Sequence, residues 1–421
     1  MPRLKASLIV GKLVILLINF LLILALGEWL FPKFLDKIPL RLYGSIENNL
    51  RILAQHSKKN LLPNEYIAIV GDSIAVGTGD WLEEVRKNSF FGSPDYSPAH
   101  LIYKKTGIDV VSFGQAGVGS FGGIWREPIT QFKYINSVRE YHLSPPKYIL
   151  IFFSETGDIY DNVQFLSGYA QAEKEMVRDF LNSKFEKVLN QNFSKNFWRD
   201  MLFTQFLYQG ILNLIDEQIS SNEKPPTYPK TPVNIALING EKAPLPMHLS
   251  APPLFSFKES DRILGQKRQL TEEELKVFYI TKKEYKLGLF VFEQTLAMLA
   301  GFFPHQEIKI VYIPSTLSSY KMVSPQVVYR GMFGWVNIVA TTVIEQKHIE
   351  LCEAIQKIAS GHNMSFINTT KNLRKASSME TIHGPIDWDH FNRRGYEALS
   401  TDIAQVFLQS GGGVRTDNCV Y

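Results

Sequence analysis

Tyr66-Ile67-Ala68-Ile69-Val70 runs into Gly71-Asp72-Ser73, and this stretch decides the fold. Five consecutive apolar residues ending at a glycine are the pattern of a strand buried on both faces, because a strand with one wet face alternates. Three more runs of the same kind follow, Asp109 to Phe113 (DVVSF), Tyr148 to Phe153 (YILIFF) and Ile308 to Ile313 (IKIVYI), each bounded by Gly, Pro or Ser. Helical periodicity falls between and after them, at Asp80 to Arg86, Tyr169 to Lys187, Trp198 to Ser220, Lys283 to Ala300, Asn337 to Ala359 and Asn392 to Leu408. Strands alternating with helices predict an α/β chain, a three-layer sandwich whose central parallel sheet is covered on both faces. Eight prolines between Pro225 and Pro253 break that rhythm. The expected organisation is a membrane segment over 1–34, one sheet domain in two parts (35–220 and 282–410), an insertion over 221–281 and a flexible tail over 411–421.

Hydrophobic residues make up 45% of the 421 and charged residues 20%, the balance of a chain that buries a core. A net charge of +4 with no clustered Lys/Arg stripe argues against a nucleic-acid partner. Two cysteines, Cys352 and Cys419, with the second in a Gly-rich tail, predict neither a structural disulfide nor a metal cluster. Nor do the nine histidines show zinc-type spacing, and no cofactor is implied.

The N-terminus carries a nearly unbroken apolar run, Leu13 to Phe31, preceded by Arg3, Lys5 and Lys12. A helix from Leu8 to Phe31 would be roughly 36 Å long, enough to cross a hydrocarbon core of about 30 Å. The basic flank keeps its end in the cytoplasm and places the remainder in the periplasm or outside the cell, as a single-pass membrane protein. A cleaved signal peptide is the competing reading, since Ala25-Leu26-Gly27 has small-x-small spacing.

Serine is a poor nucleophile until a base takes its proton and a third group orients that base. Ser73 follows a strand and precedes a helix, so its hydroxyl is expected at the carboxyl end of a parallel sheet, where such sheets place ligands. His390 lies in Asp387-Trp388-Asp389-His390-Phe391-Asn392, just before the last amphipathic helix. Asp387, three residues back, can reach the imidazole across one turn; Asp389 is the less suitable alternative because neighbouring residues rarely face each other. Val118-Gly119-Ser120-Phe121-Gly122 lacks the first glycine of a nucleophile elbow and is read as a loop.

These residues resemble the blocks of the SGNH (GDSL) hydrolase superfamily. Gly71-Asp72-Ser73 resembles the nucleophile block, and Asp387 to His390 the Asp-x-x-His block. Phe113 to Gly119 resembles the block whose glycine N–H helps bind an oxyanion, a role that falls to Gly117, beside the N–H of Ser73. Ile151 to Asn162 resembles the third block, but where the family has Gly-Asn-Asp this chain reads Thr156-Gly157-Asp158, so Gly157 stands at the oxyanion asparagine. Losing one oxyanion donor costs about 10² to 10³ in turnover, so the departure implies an enzyme that is slower, helped by another donor such as Thr156 or Asn162, or repurposed. The resemblance implies a serine esterase or O-acyltransferase acting through Ser73, Asp387 and His390 without a metal. Membrane-anchored relatives imply a glycan or envelope ester, often an O-acetyl group, as substrate, and a membrane-bound acyltransferase as a partner. The alternative it leaves open is a catalytically impaired relative that binds or scaffolds a polysaccharide export or modification complex. Trp81, Trp125 and Trp388 are the candidates for stacking on a sugar.

Overall fold

The structure is a computed structural model describing residues 2–88, 97–138, 141–169, 172–193, 201–220, 234–246, 249–256, 280–330, 336–409 and 417–419. Helix α1 (Pro2–Leu30) is followed by short 3-10 turns and then by strand β1 (Tyr66–Gly71). The chain continues through α2 (Ser73–Val76), α3 (Asp80–Asn88), α4 (Pro98–Thr106), β2 (Asp109–Ser112), α5 (Glu127–Ile135), β3 (Tyr148–Ser154), α6 (Asp158–Phe165), α7 (Lys174–Leu189) and α8 (Leu202–Ser220). After the insertion come α9 (Lys282–Phe302), β4 (Glu307–Ile313), α10 (Thr341–Gly361), β5 (Ser365–Asn368), α11 (Thr370–Ser377) and α12 (Arg393–Gln409).

The five strands form one parallel sheet in the order β5-β4-β3-β1-β2. Alternate residues feed two separate cores. Ala68, Val70, Ile151, Phe153 and Tyr312 join the side covered by α5, α7 and α9, whereas Ile67, Ile69, Phe152, Val311 and Ile367 join the side covered by α4 and α12. Burial on both faces is why these strands read as continuous apolar runs. The chain passes from β1 to its edge neighbour β2 and then crosses back over β1 to β3, so the strand order reverses at β1, the place where open parallel sheets form a crevice beyond their carboxyl ends.

Two sequence expectations are corrected and one strand is added. The stretch from Asn337 does not begin as helix: Val336–Ala340 pairs antiparallel with Gln326–Arg330, and α10 starts at Thr341. The β-branched run Val336, Ile338, Val339 favours a pleated surface over a helical first turn. Strand β5 is a fifth strand that Ser365–Asn368 is too short to announce; its pairing with β4 makes it visible. Finally, Cys352 on α10 and Cys419 form a disulfide. The tail near Cys419 is held through the backbone of Asp417: its N–H donates to Phe366 O at 3.1 Å, and its carbonyl accepts from the Gln356 side-chain Nε2 at 2.6 Å. Within the insertion, Asn234–Ile238 and Glu241–Leu245 make a hairpin; most of the rest of 221–281, together with Trp198 and residues 411–416, lies outside the described residues.

Candidate active site

Ser73 is the first residue of α2, directly after β1. Asp72 caps that four-residue helix, its Oδ1 accepting the N–H of Ile74 at 2.9 Å, which satisfies one of the free amides at a helix start. The sharp turn needs Gly71, whose φ of 146° leaves a side chain no room: a Cβ there would lie 2.7 Å from Phe152 O on β3.

His390 arrives from the far end of the sequence. Its Nε2 lies 2.8 Å from Ser73 Oγ and its Nδ1 lies 2.7 Å from Asp387 Oδ2. That pattern requires Nδ1–H to donate to Asp387 while Nε2 accepts from the serine hydroxyl. The structure therefore brings Ser73, Asp387 and His390 into one relay, with Asp387 and not Asp389 as the orienting carboxylate.

Two clamps hold the His390 turn against the Ser73 turn. Asp80, at the start of α3, accepts the N–H of Ile386 at 2.8 Å and the N–H of Asp387 at 2.6 Å. Gly79 (φ 138°) lets the two loops touch, since a Cβ would sit 2.4 Å from Phe391 O. Tyr396 and Thr316 add a hydroxyl each, to Thr78 O at 2.6 Å and to Trp388 O at 2.9 Å. Asp80 and Thr316 were not singled out in the sequence. Asp80 reads there as an ordinary acidic helix start, and only the fold shows what its carboxylate faces.

The electrostatics suit a base. Burial opposes charging of His390, but the hydrogen bond and charge of Asp387, aided by Asp72 and Asp389, outweigh it and raise the imidazole above its ordinary value. Asp387 moves the opposite way: burial would raise it, but His390 and the backbone N–H groups of Asp389 and His390 hold it below the usual carboxylate range. On the far side of Ser73, burial raises Asp72, and burial together with the Asp72 charge raises Asp158 well above a normal carboxyl and Asp161 to about 6.

Gly117 has φ 73° and no atom within 4 Å of a would-be Cβ, so its loop position is open. The loop is docked on α2 through Gly114, where a Cβ would lie 2.7 Å from Ala75, and through Gln115 N–H to Gly71 O at 3.1 Å. Gly157 faces the carboxylates instead, a Cβ there falling 3.6 Å from Asp161 Oδ2 and 3.9 Å from Asp72 Oδ2. Asn162, weighed as a replacement donor, is fully buried and committed elsewhere: its Nδ2 donates to Ser120 Oγ and Gly288 O, and its Oδ1 accepts from Ser120 N–H. Thr156 donates to Ser250 Oγ at 3.2 Å. Ser120 is completely buried, in keeping with a structural loop serine.

Gly117, Gly119, Arg126 and Asp161 border a cavity of about 330 Å³ beside this loop. Of the three tryptophans, Trp81 and Trp125 are buried in the core, and Trp388 is partly exposed next to His390. Beneath the site, the buried Glu155 takes the N–H of Ser315 at 2.5 Å and the Nδ1–H of His348 at 2.9 Å, tying the loop after β3 to the end of β4. Burial would raise that carboxyl, but the His348 contact lowers it on balance. Among the described residues no group of three or more His, Cys, Asp or Glu side chains is arranged to hold a metal ion.

No protein-family model and no curated protein matches the chain. Among solved structures it is similar to an acetyl xylan esterase from the rumen bacterium Butyrivibrio proteoclasticus, at 12% identity and a TM-score of 0.30, over 82% of this chain. The match covers 63% of that esterase's length.

Proposed function

We propose that the chain is a membrane-anchored serine esterase or O-acyltransferase of the SGNH type, acting on ester groups, foremost O-acetyl, of a glycan or other envelope component outside the cytoplasm. The observation that carries this reading is the relay from Ser73 Oγ through His390 to Asp387, at 2.8 and 2.7 Å. His390 Nε2 takes the serine proton as Oγ attacks the ester carbonyl, and the N–H groups of Ser73 and Gly117 receive the oxyanion. The C–O bond to the alcohol then breaks, the alcohol leaves with the proton from His390, and an acyl-serine remains. Water attacking that acyl-serine gives hydrolysis; a sugar hydroxyl gives transfer, for which a membrane-bound acyltransferase would be the partner supplying acyl groups.

Support also comes from location, because Ser73 sits where the strand order reverses, the place where open parallel sheets bind ligands. The membrane part rests on Gly11–Lys33, a stretch of mean hydropathy 2.5 that is long and apolar enough to cross a bilayer or to serve as a signal sequence.

The test is acetate release from an activated acetyl ester and from acetylated polysaccharide by the full chain in detergent, beside its Ser73→Ala variant. Loss of release in the variant supports serine ester chemistry. Equal silence of both proteins with retained polysaccharide binding moves the reading to a scaffold, which the glycine at position 157 would fit.

A further inference from the structure

Helix α8 starts where α1 ends, and the two are fastened together. The Glu28 carboxylate accepts the N–H of Phe203 at 3.1 Å and of Thr204 at 2.8 Å. It thereby supplies the acceptors that the first turn of a helix lacks and complements its dipole. The Phe203 ring packs against α1 at Gly27, where a Cβ would be 2.2 Å from the ring. Phe31 packs on Phe203 and Phe206 with ring centres 5.6 and 4.8 Å apart. At the same level Trp29 is exposed and carries the Lys33 ammonium 3.9 Å from its ring centre, the aromatic and cationic pairing typical of a membrane–water boundary.

The opposite side of α8 rests on the juxtamembrane turn Leu40–Ser45, through Gly210 against Ser45 and Asn213 against Gly44. That leaves a face of Leu207, Tyr208, Ile211 and Leu212 turned outward, with Tyr208 and Ile211 each 60% exposed. The spacing puts all four on one side of the helix. Residues 201–215 contain no charged side chain, the first being Asp216 past the exposed apolar face, so no charge within that stretch opposes entry into an apolar boundary. Its continuity with α1 decides what covers it.

We propose that α8 is a second membrane contact, lying along the outer interface of the bilayer that α1 spans, with Leu207, Tyr208, Ile211 and Leu212 inserted about 5–10 Å into the headgroup boundary. This rests on the reading of α1 as a membrane span. Two consequences follow. The catalytic domain is docked on the lipid surface, not tethered loosely above it. And α1 is kept in the mature protein, because cleavage after Gly27 would remove the surface on which the Phe203 ring packs and turn Glu28, the cap of α8, into a free chain end.

The experiment uses the full chain in vesicles whose phospholipids carry a quencher at the headgroup or deep in the acyl chain. An environment-sensitive fluorophore is placed at Ile211→Cys, at Leu16→Cys within α1, and at Glu186→Cys on the exposed side of α7. The expected result is quenching of position 211 by the headgroup label, of position 16 by the deep label, and of position 186 by neither. Position 211 open to an aqueous quencher while position 16 is lipid-quenched overturns the α8 contact and leaves the anchor standing. Position 211 shielded from both quenchers overturns it too, in favour of a second protein copy on that face. Position 16 untouched by lipid quencher overturns the span itself.

Discussion

Replacing Asp80 by alanine removes the two hydrogen bonds that fix the backbone of Ile386 and Asp387, at 2.8 and 2.6 Å, from a carboxylate only 5% exposed. Bonds to a charged acceptor are worth about 1.5–3 kcal/mol each when buried. The Ile386 side chain is 76% exposed, so water can reach that amide and recover much of one bond. The net loss is therefore about 2–3 kcal/mol. If it falls on the turn carrying Asp387 and His390, the relay spends most of its time out of line, and at about 1.4 kcal/mol per factor of ten kcat drops roughly 30- to 150-fold. Ser73, His390 and Asp387 stay in place chemically, so KM for a small activated ester should move little. Asp80→Asn keeps one acceptor and should lie between wild type and alanine. Steady-state hydrolysis and thermal unfolding on the same samples check this. A variant that loses stability while kcat stays at the wild-type level would refute the positioning role, leaving Thr316, Gly79 and Tyr396 as sufficient clamps.

In Gly157→Asn the added Cβ makes only ordinary contacts, at 3.6 and 3.9 Å, and the new amide should raise kcat at least about tenfold toward the 10²–10³ of a full oxyanion donor; unchanged turnover in a folded variant would show that position 157 does not face the oxyanion. Because Asp387 raises His390, the imidazole stays protonated to higher pH than an ordinary histidine, so kcat/KM should climb with pH through a midpoint above 6.5. In Asp387→Asn that midpoint should fall and kcat should drop by about 10⁴, the size of the corresponding loss in a well-studied serine triad; a midpoint that does not move would separate Asp387 from the titration. Reducing the disulfide or mutating Cys352→Ser frees a closure of 67 residues in sequence, worth about 4 kcal/mol in the chain-entropy account. Denaturant titration should report that loss with little change in kcat, because Cys352 packs against Asn368 on β5, the edge strand three places from β1 and the Ser73 turn.

Hydrophobic patterning carried a large share of the structure. YIAIV, DVVSF, YILIFF and IKIVYI read as buried parallel strands because a strand covered on both faces leaves no room for alternation, and the sheet contains all four. Ser73 was legible because a small polar residue straight after such a strand must emerge at the sheet's carboxyl end. Asp387 and His390 were legible because three residues span one turn, so their mutual reach is a local property of the chain. Contacts between distant segments carried no such mark. Strand β5 is four residues long and exists through its pairing with β4, Asp80 and Gly79 matter only because the His390 turn folds back onto them, and Cys352 meets Cys419 only because Asp417 is bonded to Phe366 on β5 beside α10. Periodicity and short-range reach are written residue by residue and so belong to the sequence. Which remote groups share a surface is set by the packing of the whole core, and here only the tertiary structure decided it.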